Sequence, residues 1–419
     1  MSTAPPGTGT RRARKRDTSA LAVASALTGL LAYVVFAVTT RTLGPSDAAP
    51  VSVLWTYWSF AGAALTFPIQ HWVTSTVALH GEGSVRAAGR RVALVVAGVC
   101  VVAGLLAYAG RELLFHRDDL WFPMMVVLVT AGSAVVGLSR GGLAAHERFL
   151  ALGVNLVGEN ALRCVLIGGL ALAGVDSPVP YGLALVAGSL IVVVQPRALV
   201  FHAGGSTGGN ALHFLTGSGV AQLLAQVVLT GGPVLLALTG GSAAQVTAMF
   251  AALALFRAPY LLALGVVSQL NGVVARVVAR GDLSPLRRLR TLIGVGTVVA
   301  AALAGAVCTL LGPPVLRLVF GPDLSFGRLE AGVVGAACVV AVGNLVCTVT
   351  VMVRGRSPRL VVAWVAGLAV AAIAFVALLG IDPTDRASVA FLVAEVVAFA
   401  VLLREQTLGA GSTAPEPRT

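Results

Sequence analysis

The sequence predicts an all-α polytopic membrane protein of about twelve transmembrane helices in two sets of six. Three observations carry this. The 419 residues are 57% hydrophobic and only 11% charged, with a mean hydropathy of +0.91, whereas soluble domains run near ~25% charged. Apolar runs long enough to cross a hydrocarbon core of about 30 Å recur along the chain. Turn and arginine landmarks in the first half recur at a near-constant offset in the second. Helices must carry the spans, because lipid offers no partner to an unpaired backbone group.

In chain order, a basic tail (1–18) precedes six apolar runs at 19–40, 50–79, 91–110, 120–143, 153–175 and 181–201. A polar linker (202–211) leads to six more at 212–238, 244–275, 291–311, 328–352, 360–381 and 387–403, and a polar tail (404–419) follows. The runs at 50–79 and 244–275 exceed a single perpendicular crossing, so tilt or an interfacial extension is expected in each. These boundaries define an N-terminal lobe over 19–201 and a C-terminal lobe over 212–403.

Orientation follows from the cations. With twelve spans both termini share one side. That side gathers 21 of the 29 Lys and Arg residues: RRARKR, then Arg86, Arg90, Arg91, Arg140, Arg148, Arg197, five between 276 and 290, Arg354, Arg356, Arg359, Arg404 and Arg418. The other side has six: Arg41, Arg111, Arg117, Arg317, Arg328 and Arg386. Arg163 and Arg257 remain within spans. The positive-inside rule therefore places both termini in the cytoplasm. The net charge of +12 reads as this signal plus attraction to anionic lipid, not as nucleic-acid binding. The first apolar run is longer than that of a signal peptide and no small-x-small site in it is followed by a soluble domain, so it reads as a span. Ala, Gly, Val, Leu and Arg dominate and Lys15 is the single lysine, a usage that fits a high-GC bacterial genome and the inner membrane.

Several chemistries are excluded or unsupported. Cys100, Cys164, Cys308, Cys338 and Cys347 all fall inside spans with no CxxC or Cys/His spacing, so they read as small packing residues and neither a metal site nor a disulfide framework is expected. A P-loop needs a lysine in GxxxxGK[ST], and Lys15 is not in one. No loop is long enough to house an enzyme domain, and no cofactor is expected. Movement of a cargo would draw on a gradient, on membrane potential or on the cargo itself.

Thr42-Leu43-Gly44 closes the first span and Leu238-Thr239-Gly240-Gly241 the seventh; Gly89-Arg90-Arg91 opens the third and Leu286-Arg287-Arg288 the ninth. Both pairs lie 197 apart, and later landmarks about 206–208 apart, the extra residues falling in GPPVLRLVFGPDLSFGR. A parallel repeat about an axis normal to the membrane is one arrangement used by secondary transporters.

Four stretches then carry a resemblance: TRTLGPSDAAPVSVLWTYWSF, RGGLAAHERFLALGVNLVGENALRCVL, LGVVSQLNGVVARVVARGDLSPLRRL and LGPPVLRLVFGPDLSFGR. In order and spacing they resemble the polysaccharide flippases of the multidrug/oligosaccharidyl-lipid/polysaccharide exporter (MATE-like) superfamily. FPIQHW at 67–72 stands where that family has a small, glycine-containing turn. The resemblance implies two six-helix bundles, related by a pseudo-twofold axis normal to the membrane, around a cavity lined by spans one, two, seven and eight. It also implies a cargo, an oligosaccharide on a polyprenyl pyrophosphate carrier moved from the inner to the outer leaflet. The implied partners are membrane lipids and glycosyltransferases or a polymerase of the same pathway.

Such a cargo is anionic and polar, so its route needs fixed positive charge and hydrogen-bonding groups. Arg257 lies deep in span eight, two residues before Pro259, which removes one backbone hydrogen bond and favours a kink. It is the leading candidate for the phosphate, with pairing to a carboxylate as the alternative. Ser218, Gln222, Gln226 and Thr230 recur every fourth residue on span seven and read as sugar ligands or as interhelical glue. Span one adds Ser25, Thr28 and Tyr33, and span two adds Gln70 and His71, a histidine whose ordinary titration range is near neutral. Glu159 and Arg163 lie four apart in GENALRC, with Asn155 on the same stripe, and read as a self-neutralising structural pair or as a coupling element. Glu395, with no evident partner in FLVAEVVAFAV, is the candidate proton carrier, with a hydrogen bond to a neighbouring helix as the alternative.

Three other functions stay open. A cation-coupled drug exporter should favour cavity carboxylates, and spans one, two, seven and eight contain no Asp or Glu. A peptidoglycan-precursor flippase often has two further helices. A non-transporting scaffold for glycosyltransferases would depend on the loop arginines instead.

Overall fold

The structure, a computed structural model, describes residues 8–202, 211–263, 284–353 and 357–405, with side chains over 23–202, 219–263, 290–348, 350–351 and 358–405. Among the described residues every regular element is helical, and helix occupies all twelve expected spans. Among the described residues nine helices are long and apolar enough to cross a membrane, and a bent pair makes a tenth span. The protein is an all-α multi-pass membrane protein.

Span one is α1 (Thr8–Asp47), which turns at Gly44, where φ is 77°. Span two is α2 (Ala49–Ala61), a π turn (Gly62–Thr66) and α3 (Phe67–His80). Its excess length over a single crossing is therefore taken up in part by one wide turn. Span three is α4 (Glu82–Ala109), and α5 (Arg111–Phe115) is a short connector. Spans four and five are α6 (Trp121–Ala145) and α7 (Phe149–Leu172). Span six is shorter than expected: α8 (Pro178–Ala187) tightens into 3-10 turns at Gly188–Val194 and Pro196–Leu199. Span seven breaks by 71° between α9 (Ala211–Thr230) and α10 (Gly232–Leu238). Span eight is α11 (Ala243–Phe256), interrupted by a turn at Arg257 before helix resumes over 258–263. The last four spans are α12 (Ser284–Phe320), α13 (Arg328–Val353), α14 (Ser357–Ala377) and α15 (Pro383–Glu405).

The chain divides into two compact units. The first holds residues 1–226 together with 237–248 and 318–324. Those later pieces belong there through contacts near the C-terminal end of α1. The Thr247 hydroxyl donates to the Pro45 carbonyl at 2.6 Å, Arg41 donates to the carbonyls of Leu318 and Val319, and Phe36 packs edge-on to Phe320. Within this unit α1 lies along α7, while α6 is the hub, touching α2, α3, α4, α8 and the 3-10 turns. Close approach requires small residues there. A β-carbon on Gly142 would collide with the Ala198 carbonyl. Lipid is as apolar as a leucine side chain, so such packing, rather than exclusion of water, holds membrane helices together.

The second unit holds 227–236, 249–317 and 325–419. Here α13 packs on α15, α14 on both, and Gly332 of α13 faces Thr309 of α12. The tenth span thus meets the ninth and twelfth as the fourth meets the third and sixth. This pairing is the structural form of the repeat seen in the sequence spacing. Cys100, Cys338 and Cys347 are buried and Cys164 and Cys308 half-buried, all as free thiols.

Gly142→Ala should overpack the α6 junction and cost about 1–3 kcal/mol; a thermal melt of the detergent-purified variant should fall below wild type by several degrees.

Candidate functional site

Two buried polar centres stand out, one in each unit. The first is built on GENALRC. Glu159 accepts from Arg163 at 2.6 Å and from Arg140 at 2.5 Å, one guanidinium on each carboxylate oxygen. Arg140 also donates to Asn155 Oδ1 at 2.9 Å, and Asn155 donates to Gln195 Oε1 at 3.3 Å. Arg163 donates to Asn160 Oδ1 at 2.8 Å and to the Leu185 carbonyl at 2.9 Å, and its guanidinium lies 4.5 Å from the Trp58 ring centre. Arg163 is 1% exposed and Glu159 4%. Gly188 leaves room for that guanidinium, which a β-carbon there would strike. The same helix holds α1, because Asn160 donates to the Thr28 carbonyl and the Cys164 thiol to the Leu31 carbonyl.

The expected self-neutralising pair is therefore corrected to a triad. Arg140, read from the sequence as a loop cation, lies buried in α6 and shares the carboxylate. Two guanidiniums face one carboxylate, leaving a net positive charge. Coulombic attraction at this range is strong in a low-dielectric interior, and full pairing offsets the cost of removing the ions from water. Asn155, Gln195 and the carbonyls use the remaining donors. A stripe at i, i+4 shows which residues share a face, but not what the face meets, so sequence alone missed Arg140, Gln195 and Trp58.

The second centre surrounds Glu395, which is fully buried. It bonds to a neighbouring helix, as one of its two readings expects: Asn344 of α13 donates to the Glu395 Oε2 at 2.6 Å and to the Glu395 backbone carbonyl at 2.9 Å. Among the described residues its Oε1 is buried without a hydrogen-bond partner, as is Asn344 Oδ1. Tyr260 and Cys338 each lie within electrostatic reach of both Arg257 and Glu395, which brings the span-eight break and the α15 carboxylate to one locus. Arg257 is half-buried at the turn between the two parts of span eight, beside the exposed Pro259. Helical bonding persists across the turn, from the Arg257 amide to Leu253 at 3.3 Å and from Leu261 to Arg257 at 3.2 Å.

The remaining candidates sit in varied surroundings. On span seven Gln222 is exposed, Gln226 half-buried and Thr230 buried at the end of α9, so the stripe does not keep one environment. The Ser218 side chain lies outside the described residues. Ser25 is exposed, Tyr33 is half-buried, and the Thr28 hydroxyl donates back to the Ala24 carbonyl at 2.7 Å. Gln70 is half-buried and His71 is exposed. Among the described residues no group of three or more His, Cys, Asp or Glu side chains is placed to hold a metal ion.

A third polar cluster lies at helix ends. Glu82 accepts from His146 Nε2 at 2.7 Å and from His202 through both its Nδ1 and its backbone amide. The other ring nitrogen of His146 faces the Gly142 carbonyl at 2.7 Å. With both nitrogens facing acceptors, the imidazolium is favoured; the Gly142 carbonyl first and then Glu82 hold the His146 pKa above its ordinary value.

Structures of very different sequence share this architecture. An inward-facing multidrug resistance MATE family transporter of the MOP superfamily aligns over 92% of this chain and 98% of its own, with TM-score 0.65 and 14% identity. The fold is that of the MATE transporters. The lipid II flippase MurJ, in an inward closed conformation, has the same fold over 92% of this chain and 87% of its own, with TM-score 0.60 and 12% identity. In sequence, the MATE-fold chain is 29% identical over 352 residues to an uncharacterized protein of Mycobacterium tuberculosis, covering 77% of this chain and 76% of the relative. No family model matches the chain.

Two outcomes are expected from these contacts. Glu159→Gln strands two guanidiniums and should cost about 3–5 kcal/mol, while Glu159→Ala with Arg163→Ala should recover only part of that, since Arg140 stays buried; thermal melts of the three proteins compare them. His146 gains stability from its partners below its unfolded pKa and loses it as pH rises through the elevated folded value, so the difference in melting temperature between wild type and His146→Gln should shrink from pH 6 to pH 9.

Proposed function

We propose that this chain is a flippase that moves a polyprenyl-pyrophosphate-linked oligosaccharide from the inner to the outer leaflet of a bacterial cytoplasmic membrane, by alternating access, for cell-surface polysaccharide synthesis. Both termini lie in the cytoplasm in this reading, following the arginine asymmetry. The observation that carries it is Arg257. A guanidinium interrupts an apolar span about fourteen residues after its start, hence about 21 Å along the helix, and it is only partly buried there, two residues before a proline. A buried or half-buried intramembrane arginine is costly and marks an ion or substrate path more often than not. Its planar fork suits a pyrophosphate.

Other features support the reading. Spans one, two, seven and eight contain no carboxylate, which favours an anionic cargo over a cationic drug. Gln222 and Gln226 offer amides for sugar hydroxyls. The likeness in fold to a lipid II flippase supports a lipid-linked cargo. Glu395, with one oxygen lacking a hydrogen bond among the described residues, is the group proposed to couple transport to protons. Enzymes of the same glycan pathway are the proposed partners.

A deletion strain should accumulate a lipid-linked oligosaccharide accessible only from the inner leaflet, and the wild-type gene should clear it. Arg257→Ala should insert normally yet transport about ten- to hundredfold more slowly, the worth of a charge-assisted hydrogen bond, and Arg257→Lys should recover part. Wild-type clearance by Arg257→Ala would remove this residue from the cargo path.

A further inference from the structure

Within the first unit a cavity of about 750 Å³ lies among α3, α4, α6 and residues 199–201. Trp72, Val96, Ala134, Leu138 and Phe201 line it, and among the described residues Arg86 is its one charged lining group. It follows α4 from Arg86 to Cys100, fourteen residues or about 21 Å of helix. One leaflet of hydrocarbon is about 15 Å deep, half of a 30 Å core, so the cavity has the length of one acyl chain plus its head-group level. Val135 on its wall is 43% exposed, so the cavity opens sideways onto what is lipid in a membrane.

The charge at its mouth is unspent. Glu82 lies four residues before Arg86, the favourable order for an ion pair on one helix. Yet both oxygens of Glu82 are taken, one by His146 and the other by His202. Among the described residues Arg86 makes no ion pair or hydrogen bond. Arg90 and Arg91, both exposed, follow on the same helix. His202 directly follows the wall residue Phe201, so the bonds to Glu82 also pin the segment that closes this side of the cavity.

We propose that this cavity is a binding site for an anionic phospholipid of the arginine-rich leaflet, one acyl chain lying along α4 and the head-group phosphate on Arg86. A basic group at the rim of an apolar pocket between membrane helices selects anionic lipids. An abundant bulk lipid can enter from the side without passing through the cargo path. The inference goes beyond the transport reading and holds whether or not that reading does.

The test uses Trp72, which sits in the wall. The full-length protein is placed in phosphatidylcholine nanodiscs, and phosphatidylglycerol brominated on its acyl chains is titrated in. Bromine should quench a saturable part of the fluorescence, and that part should be absent in Trp72→Phe. Arg86→Gln should move the half-saturation point about fivefold higher, the worth of one arginine near an anionic surface. Ala134→Phe, which fills the cavity, should abolish the saturable part, and thermal melts establish that all three variants fold. Four results would overturn the proposal: equal quenching by brominated phosphatidylcholine, an unmoved titration in Arg86→Gln, displacement by inorganic phosphate alone, or displacement by a polyprenyl phosphate at far lower mole fraction than by phosphatidylglycerol. The last would make the cavity a seat for the carrier lipid.

Discussion

Glu159 accepts one guanidinium on each of its two oxygens, and the first unit is arranged around that arrangement. Arg140 arrives from α6 and Arg163 from the next turn of α7. Stripping water from three ions is expensive, and the cost is offset only when almost every donor finds an acceptor. Here the acceptors come from Asn155, Asn160 and the Leu185 carbonyl, and Trp58 offers a ring face to Arg163. Each comes from a specific place on α2, α7 or α8. Satisfying the charges therefore fixes how these helices meet, which apolar contact against lipid-like surroundings does weakly.

The seven residues of GENALRC show how densely this is done. Glu159 reaches α6, Asn160 and Cys164 reach α1, and Arg163 reaches α2 and α8. Only small residues let the backbones close around the group, as at Gly188 and Gly142. The triad thus answers a structural need, joining α1, α2, α6, α7 and α8 through one buried group.

The second unit is built with less charge compensation. Among the described residues Glu395 has Asn344 and no cation hydrogen-bonded to it, and one of its oxygens is without a hydrogen bond. Near it, span eight breaks at Arg257. A fully matched network resists change, whereas an incompletely matched one has capacity for a proton or a ligand. The repeat has thus kept its helix pairings in both units while its buried polar chemistry has diverged between them.

The amino-acid sequence by itself determined the membrane setting and the twelve helical segments in two sets of six. These follow from summed hydropathy and spacing, which add along the chain. It also marked Glu159, Arg163, Arg257 and Glu395, because a charge inside an apolar run is conspicuous whatever surrounds it. Only the tertiary structure decided which partners those charges have. Arg140 looked like a loop cation and proved to be buried, Glu395 looked solitary and proved to be bound to Asn344, and the serine–glutamine–threonine stripe of span seven passed from exposed to buried along its described residues. Helical periodicity assigns a residue to a face, but the group opposite that face comes from a segment tens of residues away, and its identity is set by packing.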